Sequence, residues 1–220
     1  MKRKIITTAD GSTTIQLEGW NEQYHSKHGA IQEAYHVFLK HGLFSLGRKE
    51  VSILEMGFGT GLNALITYWE AEKRNLNIDY TGIEAFPVAE NEWKQLNYVE
   101  LLNTPHLRSV FNEFHAQSWN KQCGLTPFFK LEKRQQYFNE LAIKDNYHLV
   151  YFDAFGPRVQ PELWTVNQFK KVFNALRIGG VLVTYSAKGS VRRNLQEVGF
   201  TVERLPGPPG KREMLRATKQ

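Results

Sequence analysis

Short apolar runs of strand length recur along the chain and are separated by segments with helical periodicity. Strands are predicted over residues 51–56, 79–84, 128–132, 147–153 and 181–185. Helices are predicted over residues 62–69, from Pro87 onward, over residues 161–176 with an end near Gly179 and Gly180, and over residues 189–198. This alternation with short connections predicts an α/β fold built on a doubly wound, mostly parallel sheet.

The C-terminal segment breaks the alternation. Two strand patterns, residues 200–205 and 211–217, flank a proline- and glycine-rich turn at residues 206–210. They predict a closing antiparallel hairpin. Such a tail distinguishes one branch of the doubly wound folds from the others.

The composition fits one globular domain over residues 1–220. Of 220 residues, 41% are hydrophobic, which is enough for one core and too few for two ordinary domains. We expect residues 1–50 to extend a core formed by residues 51–220. No apolar run approaches the ~18 residues of a membrane span, and the N-terminus lacks a signal-peptide pattern. We therefore expect a soluble, cytoplasmic protein with no membrane partner.

Positive charge is concentrated at the C-terminal end. Residues 158–220 hold 12 basic and 4 acidic residues, whereas residues 1–157 hold 16 basic and 18 acidic residues. This asymmetry favours a polyanionic partner such as nucleic acid, although a solvated basic face has the same composition. Cys123 is the only cysteine, which excludes an intramolecular disulfide and a cysteine-based zinc site.

The first chemical signal is a glycine loop between the first predicted strand and its helix. Gly57, Gly59 and Gly61 follow Glu55, and glycines here let backbone N–H groups approach a ligand at a helix N-terminus. The spacing fits neither the dinucleotide fingerprint nor the P-loop. Glu84 ends the second strand, where a carboxylate can accept both hydroxyls of a ribose. Together they indicate a nucleotide-type cofactor.

The second signal is Asp153, which follows the fourth predicted strand and precedes Ala154, Phe155 and Gly156. Open parallel sheets bind ligands at this edge, and a carboxylate there can receive a proton or orient an amine. A plain helix cap is the alternative role. Phe155 has two interpretations as well, since it can stack on a base or fill the core.

Four separated motifs then resemble one family. They are the glycine loop continued by Leu62 and Asn63, residues 153–157 followed by residues 161–165, residues 190–200, and residues 211–215. In this order they resemble the methyltransferase module of the MnmC-type enzymes that modify the wobble uridine of tRNA. Residues 24–26 and 29–39 also resemble that family's N-terminal region, so the resemblance covers nearly the whole chain.

The resemblance implies a class I S-adenosylmethionine-dependent methyltransferase of Rossmann-like fold. Its substrate would be the 5-aminomethyl group of wobble 2-thiouridine in tRNA, and its product 5-methylaminomethyl-2-thiouridine. The implied cofactor-binding residues are Tyr24, Ser26, Glu55, Gly57, Phe58, Gly59, Gly61, Asn63, Glu84 and Asp153. Asp153 and Phe155 are the implied catalytic residues, with Asp153 beside the reacting amine. The N-terminal extension is expected to pack over the cofactor.

Further expectations concern partners. We expect Arg192, Arg193, Lys211 and Arg212 to contact tRNA, although Lys211 and Arg212 have a possible alternative place beside the cofactor or Asp153. We expect neither a metal nor a flavin and no oxidase module after Gln220. A stand-alone, monomeric methyltransferase that depends on a separate enzyme for its aminomethyl substrate would follow. Adenine contacts near Tyr137 are not assigned, because relatives often carry an acid within the segment that corresponds to residues 134–138, and this chain has none there.

Two other classes of function stay open. A polyamine-type aminopropyltransferase, or another small-amine methyltransferase, would share the fold and the acid after the fourth strand. Aminopropyltransferases usually place an acid inside the glycine loop, where this chain has Thr60. A non-catalytic RNA-binding protein is the second class, and the presence of Glu55, Glu84 and Asp153 argues against it.

Overall fold

Eleven strands and seven helices form the computed structural model, which describes residues 2–220. The strands are β1 (Arg3–Thr7), β2 (Thr13–Leu17), β3 (Glu22–Gln23), β4 (Glu50–Met56), β5 (Asn77–Glu84), β6 (Lys121–Thr126), β7 (Phe129–Gln135), β8 (Tyr147–Phe152), β9 (Leu176–Thr184), β10 (Phe200–Pro206) and β11 (Glu213–Lys219). The helices are α1 (Ala30–Ala34), continued by a π-helical segment (Tyr35–Lys40), α2 (Leu62–Arg74), α3 (Glu90–Trp93), α4 (Tyr98–Leu101), α5 (Arg108–Ala116), α6 (Val166–Ala175) and α7 (Gly189–Val198).

Eight strands form the main sheet in the order β10-β11-β9-β8-β4-β5-β7-β6. The five strands β9, β8, β4, β5 and β7 are parallel, whereas β6 and the β10–β11 hairpin pair antiparallel at the two edges. The predicted α/β fold with a mostly parallel sheet and an antiparallel C-terminal hairpin is confirmed. Strand order reverses between β4 and β8, the place where open sheets of this kind bind ligands.

Two apolar layers cover the sheet, one on each face. Alternate residues of the central strands enter opposite layers, so that Ile53 belongs to one and Leu54 to the other. α2 contributes Leu65 to the layer of Ile53, and α6 contributes Phe169 to the layer of Leu54. Burial on both faces explains why the parallel strands have continuous apolar sequences rather than alternating ones.

A separate three-stranded sheet, β1-β2-β3, forms the N-terminal part of the chain. Side-chain contacts join all three strands to the main body, and two of these contacts are made by arginines. Arg3 donates hydrogen bonds to Phe86 O at 3.1 Å and to Glu92 Oε2 at 2.9 Å, and Arg158 forms an ion pair with Glu22 of β3. Each of these arginine contacts connects the N-terminal sheet to a segment that follows a parallel strand. None of the helices within residues 2–220 has the length and apolarity needed to cross a membrane.

Two of the helix predictions are wrong in their bounds. The predicted helix over residues 161–176 is a 3-10 turn (Pro161–Trp164) followed by α6. Thr165 has an extended backbone and accepts a hydrogen bond from Gln168 N, so it begins a new helix as its N-cap. α6 ends at Ala175, and Gly179 and Gly180 lie within β9. Pro87 does not open a helix, since α3 begins at Glu90 with Ala89 as N-cap.

Several strand predictions also differ in their bounds, and β9 begins at Leu176 rather than at Val181. The predicted strand over residues 128–132 extends to Gln135, and β6, which the sequence did not predict, pairs with it. The last strand begins at Glu213 rather than at Lys211. Lys211 and Arg212 therefore lie in the turn between β10 and β11, where Lys211 N donates to Pro208 O. A turn position frees both side chains from the alternation of a strand.

Candidate active site

A cavity of about 1410 Å³ opens at the carboxyl ends of the parallel strands. Gly57 follows β4, Glu84 ends β5, and Asp153 follows β8, and all three line the cavity. Tyr185, which follows β9, lines it too. The strand ends thus bring together residues that lie far apart in the sequence, as the sheet topology requires.

The glycine loop shapes one wall. Gly57 has φ +103°, and a Cβ atom at this position would lie 2.6 Å from Asp153 O. A side chain is therefore excluded by the backbone of the neighbouring loop. Gly59 N donates to Glu84 Oε2 at 3.0 Å, which joins the loop to the end of β5. The close approach of the two loops depends on the missing side chain at Gly57.

An amide joins the two acids at the cavity floor. Asn63, in the first turn of α2, donates from Nδ2 to Glu55 Oε1 and to Asp153 Oδ2, both at 2.9 Å. Tyr80 donates its hydroxyl to Glu55 Oε2 at 2.8 Å. Asn63 Oδ1 is buried and accepts no hydrogen bond within residues 2–220. It borders a small cavity of about 20 Å³, which has room for one water molecule or one ammonium group.

Burial changes the proton affinity of these acids. Burial and, to a smaller extent, the nearby Glu33 raise the pKa of Asp153 to about 7, although the Asn63 hydrogen bond and Lys211 oppose the shift. Burial also raises the pKa of Glu55 well above its usual value. Asp153 thus changes its charge near neutral pH, which is the range that a general base requires.

Glu84 is held by backbone groups. Its Oε1 accepts from Phe86 N at 2.9 Å and its Oε2 from Gly59 N at 3.0 Å. Burial raises the pKa of Glu84, and these backbone hydrogen bonds and Arg3 partly oppose that effect. Each carboxylate oxygen has a second lone pair that can accept a further hydrogen bond. The side chain is thereby fixed in direction at the cavity wall.

A cation lies beside Asp153. Lys211 forms an ion pair with Glu33 of α1, and its Nζ lies 3.9 Å from the centre of the Tyr185 ring. The Tyr185 hydroxyl donates to Ala154 O at 2.8 Å, which fixes the ring against the residue after Asp153. Glu33, Lys211, Tyr185 and Asp153 all line the main cavity. Anion, cation and aromatic face are therefore grouped at its floor.

Aromatic side chains form another part of the cavity wall. The Phe155 ring lies 5.1 Å from Tyr24 and 5.8 Å from Trp20, both in edge contacts. Trp164 Nε1 donates to Phe155 O at 2.8 Å and fixes the loop that carries this ring. Tyr24 and Trp20 belong to the N-terminal segment, which lines the cavity also through Ser26.

The predicted site residues occupy three places. Tyr24, Ser26, Gly57, Gly59, Glu84, Asp153, Phe155 and Lys211 line the main cavity. Glu55, Phe58 and Asn63 lie at the small cavity behind its floor, next to Gly57, Gly59 and Asp153. The Phe58 ring packs into the core, so close to Gly82 that a Cβ there would lie 2.4 Å from it. Gly61 caps α2 and borders neither cavity.

The other predicted tRNA contacts lie outside both cavities. Arg193 and Arg212 are exposed and Arg192 is half-buried. Within residues 2–220 none of the three has a carboxylate partner, whereas Arg204, Arg216 and Lys219 are paired with acids of the same chain. Lys211 therefore differs from the three arginines, because it lines the main cavity and they do not.

Several cavity residues are absent from the sequence prediction, among them Glu33, Tyr185 and Trp20. Glu33 lies on the same helical face as Ala30, Ala34 and Val37, and it is buried with them. An acid at a core position of an apolar helical pattern is a signal that could have indicated it. Tyr185 ends a predicted strand at the ligand-binding edge. Trp20 lies in a short polar loop, and no pattern in the sequence indicates its role.

Comparison with known proteins supports the assignment of the fold. A family described as S-adenosyl-L-methionine-dependent methyltransferase matches residues 131–220. The protein "tRNA 5-methylaminomethyl-2-thiouridine biosynthesis bifunctional protein MnmC" of Paracidovorax citrulli is 32% identical over 216 residues, covering 90% of this chain and 33% of that protein. MnmC of Polaromonas naphthalenivorans is 31% identical, covering 97% and 35%. The chain thus spans about one third of these curated relatives.

Solved structures agree with this relationship. MnmC2 from Aquifex aeolicus has a TM-score of 0.79 at 25% identity, covering 100% of this chain and 70% of that one. A spermidine synthase from Thermotoga maritima, with a TM-score of 0.64 at 13% identity and covering 98% and 68%, shares the fold. The resemblance to the MnmC-type enzymes is confirmed. The chain has the fold of the S-adenosyl-L-methionine-dependent methyltransferases, and residues 131–220 match the family of that description.

Proposed function

We propose that this protein transfers a methyl group from S-adenosylmethionine to the 5-aminomethyl group of a wobble uridine in tRNA. The observation that carries the proposal is Asp153, a carboxyl group with a pKa raised to about 7 at the floor of a large cavity. A primary amine must lose a proton before it can act as a nucleophile, and Asp153 is placed to accept it. The MnmC relatives supply the substrate class by their name.

The residues around the glycine loop fit S-adenosylmethionine. Glu84 offers two fixed carboxylate oxygens to a ribose diol, and Gly57 and Gly59 offer a wall without side chains. The buried Asn63 Oδ1 at the small cavity is an acceptor for an ammonium group such as that of the methionine part. When bound, the cofactor supplies an electrophilic methyl group. Tyr24 and Ser26 would cover it from the N-terminal segment.

The cavity has room for more than the cofactor. Single small ligands usually occupy ~300–1,000 Å³, whereas this cavity holds about 1410 Å³. The surplus volume lies within one continuous space that also holds Phe155, Trp20 and Asp153. Aromatic edges suit a base turned out of a tRNA loop, since unpaired bases bind by stacking and edge contacts. We assign this part to the modified uridine.

Proton transfer is the step that Asp153 performs. A substrate ammonium with a lysine-like pKa of ~10.4 would cost on the order of 4 kcal/mol to neutralise at pH 7. The proton moves from the ammonium nitrogen to a carboxylate oxygen of Asp153, and the nitrogen keeps the electron pair for bonding to the methyl carbon. Phe155 excludes water and thereby favours the neutral amine. Asn63 holds the Asp153 carboxylate in place through its hydrogen bond.

The tRNA partner is assigned to the unpaired cations. Arg192, Arg193 and Arg212 lack acidic partners within the described chain and are free to meet phosphates. We further propose that the protein acts in the cytoplasm as a monomer, without metal or flavin, on an aminomethyl group made by a separate enzyme.

The test is mass spectrometry of nucleosides from undermodified tRNA after incubation with the protein and S-adenosylmethionine. We expect 5-aminomethyl-2-thiouridine to be converted to its methylamino form. Asp153→Asn should lower the single-turnover rate by ~10²–10⁴-fold. Asp79→Asn, an exposed acid on β5, serves as the matched control and should keep the parent rate. Methylation of free polyamines without methylation of tRNA, or transfer of an aminopropyl group, would contradict the proposal.

A further inference from the structure

An ion pair between distant parts of the chain lies beside Asp153. Glu33 is on α1 and Lys211 is in the β10–β11 turn, 178 residues away in the sequence. Glu33 is only 7% exposed, and the Lys211 side chain is 30% exposed. Burying a carboxylate has a free-energy cost unless a partner compensates it. A pair retained in a cavity wall therefore calls for a role beyond stability.

The aromatic ring of Tyr185 fixes where the lysine charge lies. The Lys211 Nζ is 3.9 Å from the ring centre, which is within the range of an attractive cation–π contact. The Tyr185 ring itself is held through its hydroxyl by Ala154 O, the carbonyl next to Asp153. The ammonium is thus fixed from two sides, by Glu33 and by the ring.

Several charged or titratable groups face Asp153. They are Glu33 from α1, Lys211 from the β10–β11 turn, Glu55 from β4, Tyr80 from β5 and Tyr185 after β9. Lys211 is the only cation among them. The other groups are acids, whose negative charge favours a protonated, uncharged Asp153, and phenols, whose raised pKa keeps them uncharged near neutral pH.

We propose that the Glu33–Lys211 ion pair is a positioning element for Asp153: it holds the Lys211 ammonium at the cavity floor, where this charge keeps the Asp153 carboxylate able to accept the proton of the substrate amine. The inference rests on the proposed function for its consequence in catalysis. The electrostatic part concerns the protein alone. Lys211 is accordingly assigned to the cavity rather than to the tRNA phosphates.

The two members of the pair act on Asp153 with opposite signs. Lys211 lowers the pKa of Asp153, and Glu33 raises it. Lys211→Met removes the cation and keeps the chain length, so the pKa of Asp153 should rise. Glu33→Gln removes the anion at the same size, and because the Tyr185 ring still holds the Lys211 ammonium, the pKa of Asp153 should fall. In the double variant the two shifts should largely cancel.

The experiment follows the Asp153 carboxyl carbon by ¹³C NMR during a pH titration, with Asp153→Asn used for assignment. We expect the midpoint to move up by roughly 0.5–1 pH unit in Lys211→Met and down by a similar amount in Glu33→Gln. Lys211→Arg keeps the charge and should keep the midpoint. Lys170→Met, which removes an exposed lysine from α6, controls for net charge.

The second readout is the pH profile of single-turnover methyl transfer with saturating tRNA. The acidic limb should move with the NMR midpoint, up for Lys211→Met and down for Glu33→Gln. Equal midpoints in Lys211→Met and Lys170→Met, or shifts of the same sign in the two single variants, would overturn the inference. If the parent methylates no tRNA, the proposed function fails, while the NMR titration still decides whether the pair acts on Asp153.

Discussion

The carboxyl group of Asp153 is withdrawn from bulk water at the floor of the cavity, and its position has a cost for folding. In the unfolded chain it titrates near its ordinary pKa of 3.8, whereas burial in the folded protein raises that pKa to about 7. Protons therefore bind more tightly to the folded state. The stabilisation that comes from this tighter proton binding is complete below about pH 4, and it is lost as the pH rises through about 7.

Asp153→Asn removes this titration and keeps the size of the side chain. We expect the variant to gain free energy of unfolding over the parent as the pH rises from about 4 to 8, by about 1–3 kcal/mol after allowance for solvent in the cavity. Urea unfolding at both pH values measures the difference. A gain that is the same at both values would show that Asp153 is not buried as described. Asp79→Asn, exposed on β5, should show no such trend.

Glu84 is the residue on which cofactor affinity should depend most clearly. Its carboxylate is fixed by Gly59 N and Phe86 N and has lone pairs directed to a ribose. Hydrogen bonds to a charged acceptor are worth roughly 1.5–3 kcal/mol each, so Glu84→Ala should weaken S-adenosylmethionine binding at least about tenfold. Titration calorimetry measures this affinity. Unchanged affinity in a folded variant would remove Glu84 from the site; Glu72→Ala, on α2 away from the cavity, is the control.

Among the elements, the loop between β4 and α2 depends on backbone rather than on side chains. Gly57 has φ +103°, and a Cβ atom at this position would lie only 2.6 Å from Asp153 O. Gly57→Ala should destabilise the protein by roughly 1–3 kcal/mol and abolish measurable cofactor binding, because the β8 loop must move away. Thermal unfolding and calorimetry test both effects. Gly124→Ala, on β6 with no atom near its Cβ position, should leave both unchanged.

Element prediction from the sequence succeeded where one physical signal dominates. The central strands lie between two apolar layers, and their continuous apolar runs stand out from the rest of the chain. The helix over residues 161–176 was overextended because periodicity does not show the extended backbone of Thr165 that separates the 3-10 turn from α6. Strand β6 was missed because it is an edge strand with exposed polar residues and no apolar pattern.

At the scale of the whole molecule, topology determines which site residues the sequence can reveal. Gly57, Glu84 and Asp153 lie at the ends of parallel strands, so the predicted sheet already brought them to one edge. Glu33 and Lys211 reach the same cavity from an N-terminal helix and a C-terminal turn. Their approach depends on tertiary packing between elements that no local pattern relates. Only the folded structure brings Glu33 and Lys211 together beside Asp153.

The distribution of charge also changes between sequence and structure. Residues 158–220 carry 12 basic residues, but Arg158, Arg204, Lys211, Arg216 and Lys219 form ion pairs within the chain. The positive field available to a polyanion is therefore smaller than the composition indicates. It is concentrated on unpaired side chains such as Arg192 and Arg193 of α7, because charges already paired with acids attract phosphates less strongly.

The salt dependence of tRNA binding distinguishes the two groups of cations. Removing one cation that binds a phosphate should reduce the slope of log K against log salt by about 0.7–0.9. Replacing Arg192 and Arg193 together by alanine should therefore flatten the slope by about 1.4–1.8 and weaken binding most at low salt. Replacing Arg204 and Arg216, which are paired with Glu213 and Glu203, removes the same formal charge and should change the slope much less. Fluorescence anisotropy with labelled tRNA over a range of salt concentrations measures both slopes. Equal slopes for the two double variants would mean that tRNA responds to net charge alone, and α7 would then no longer be its contact surface.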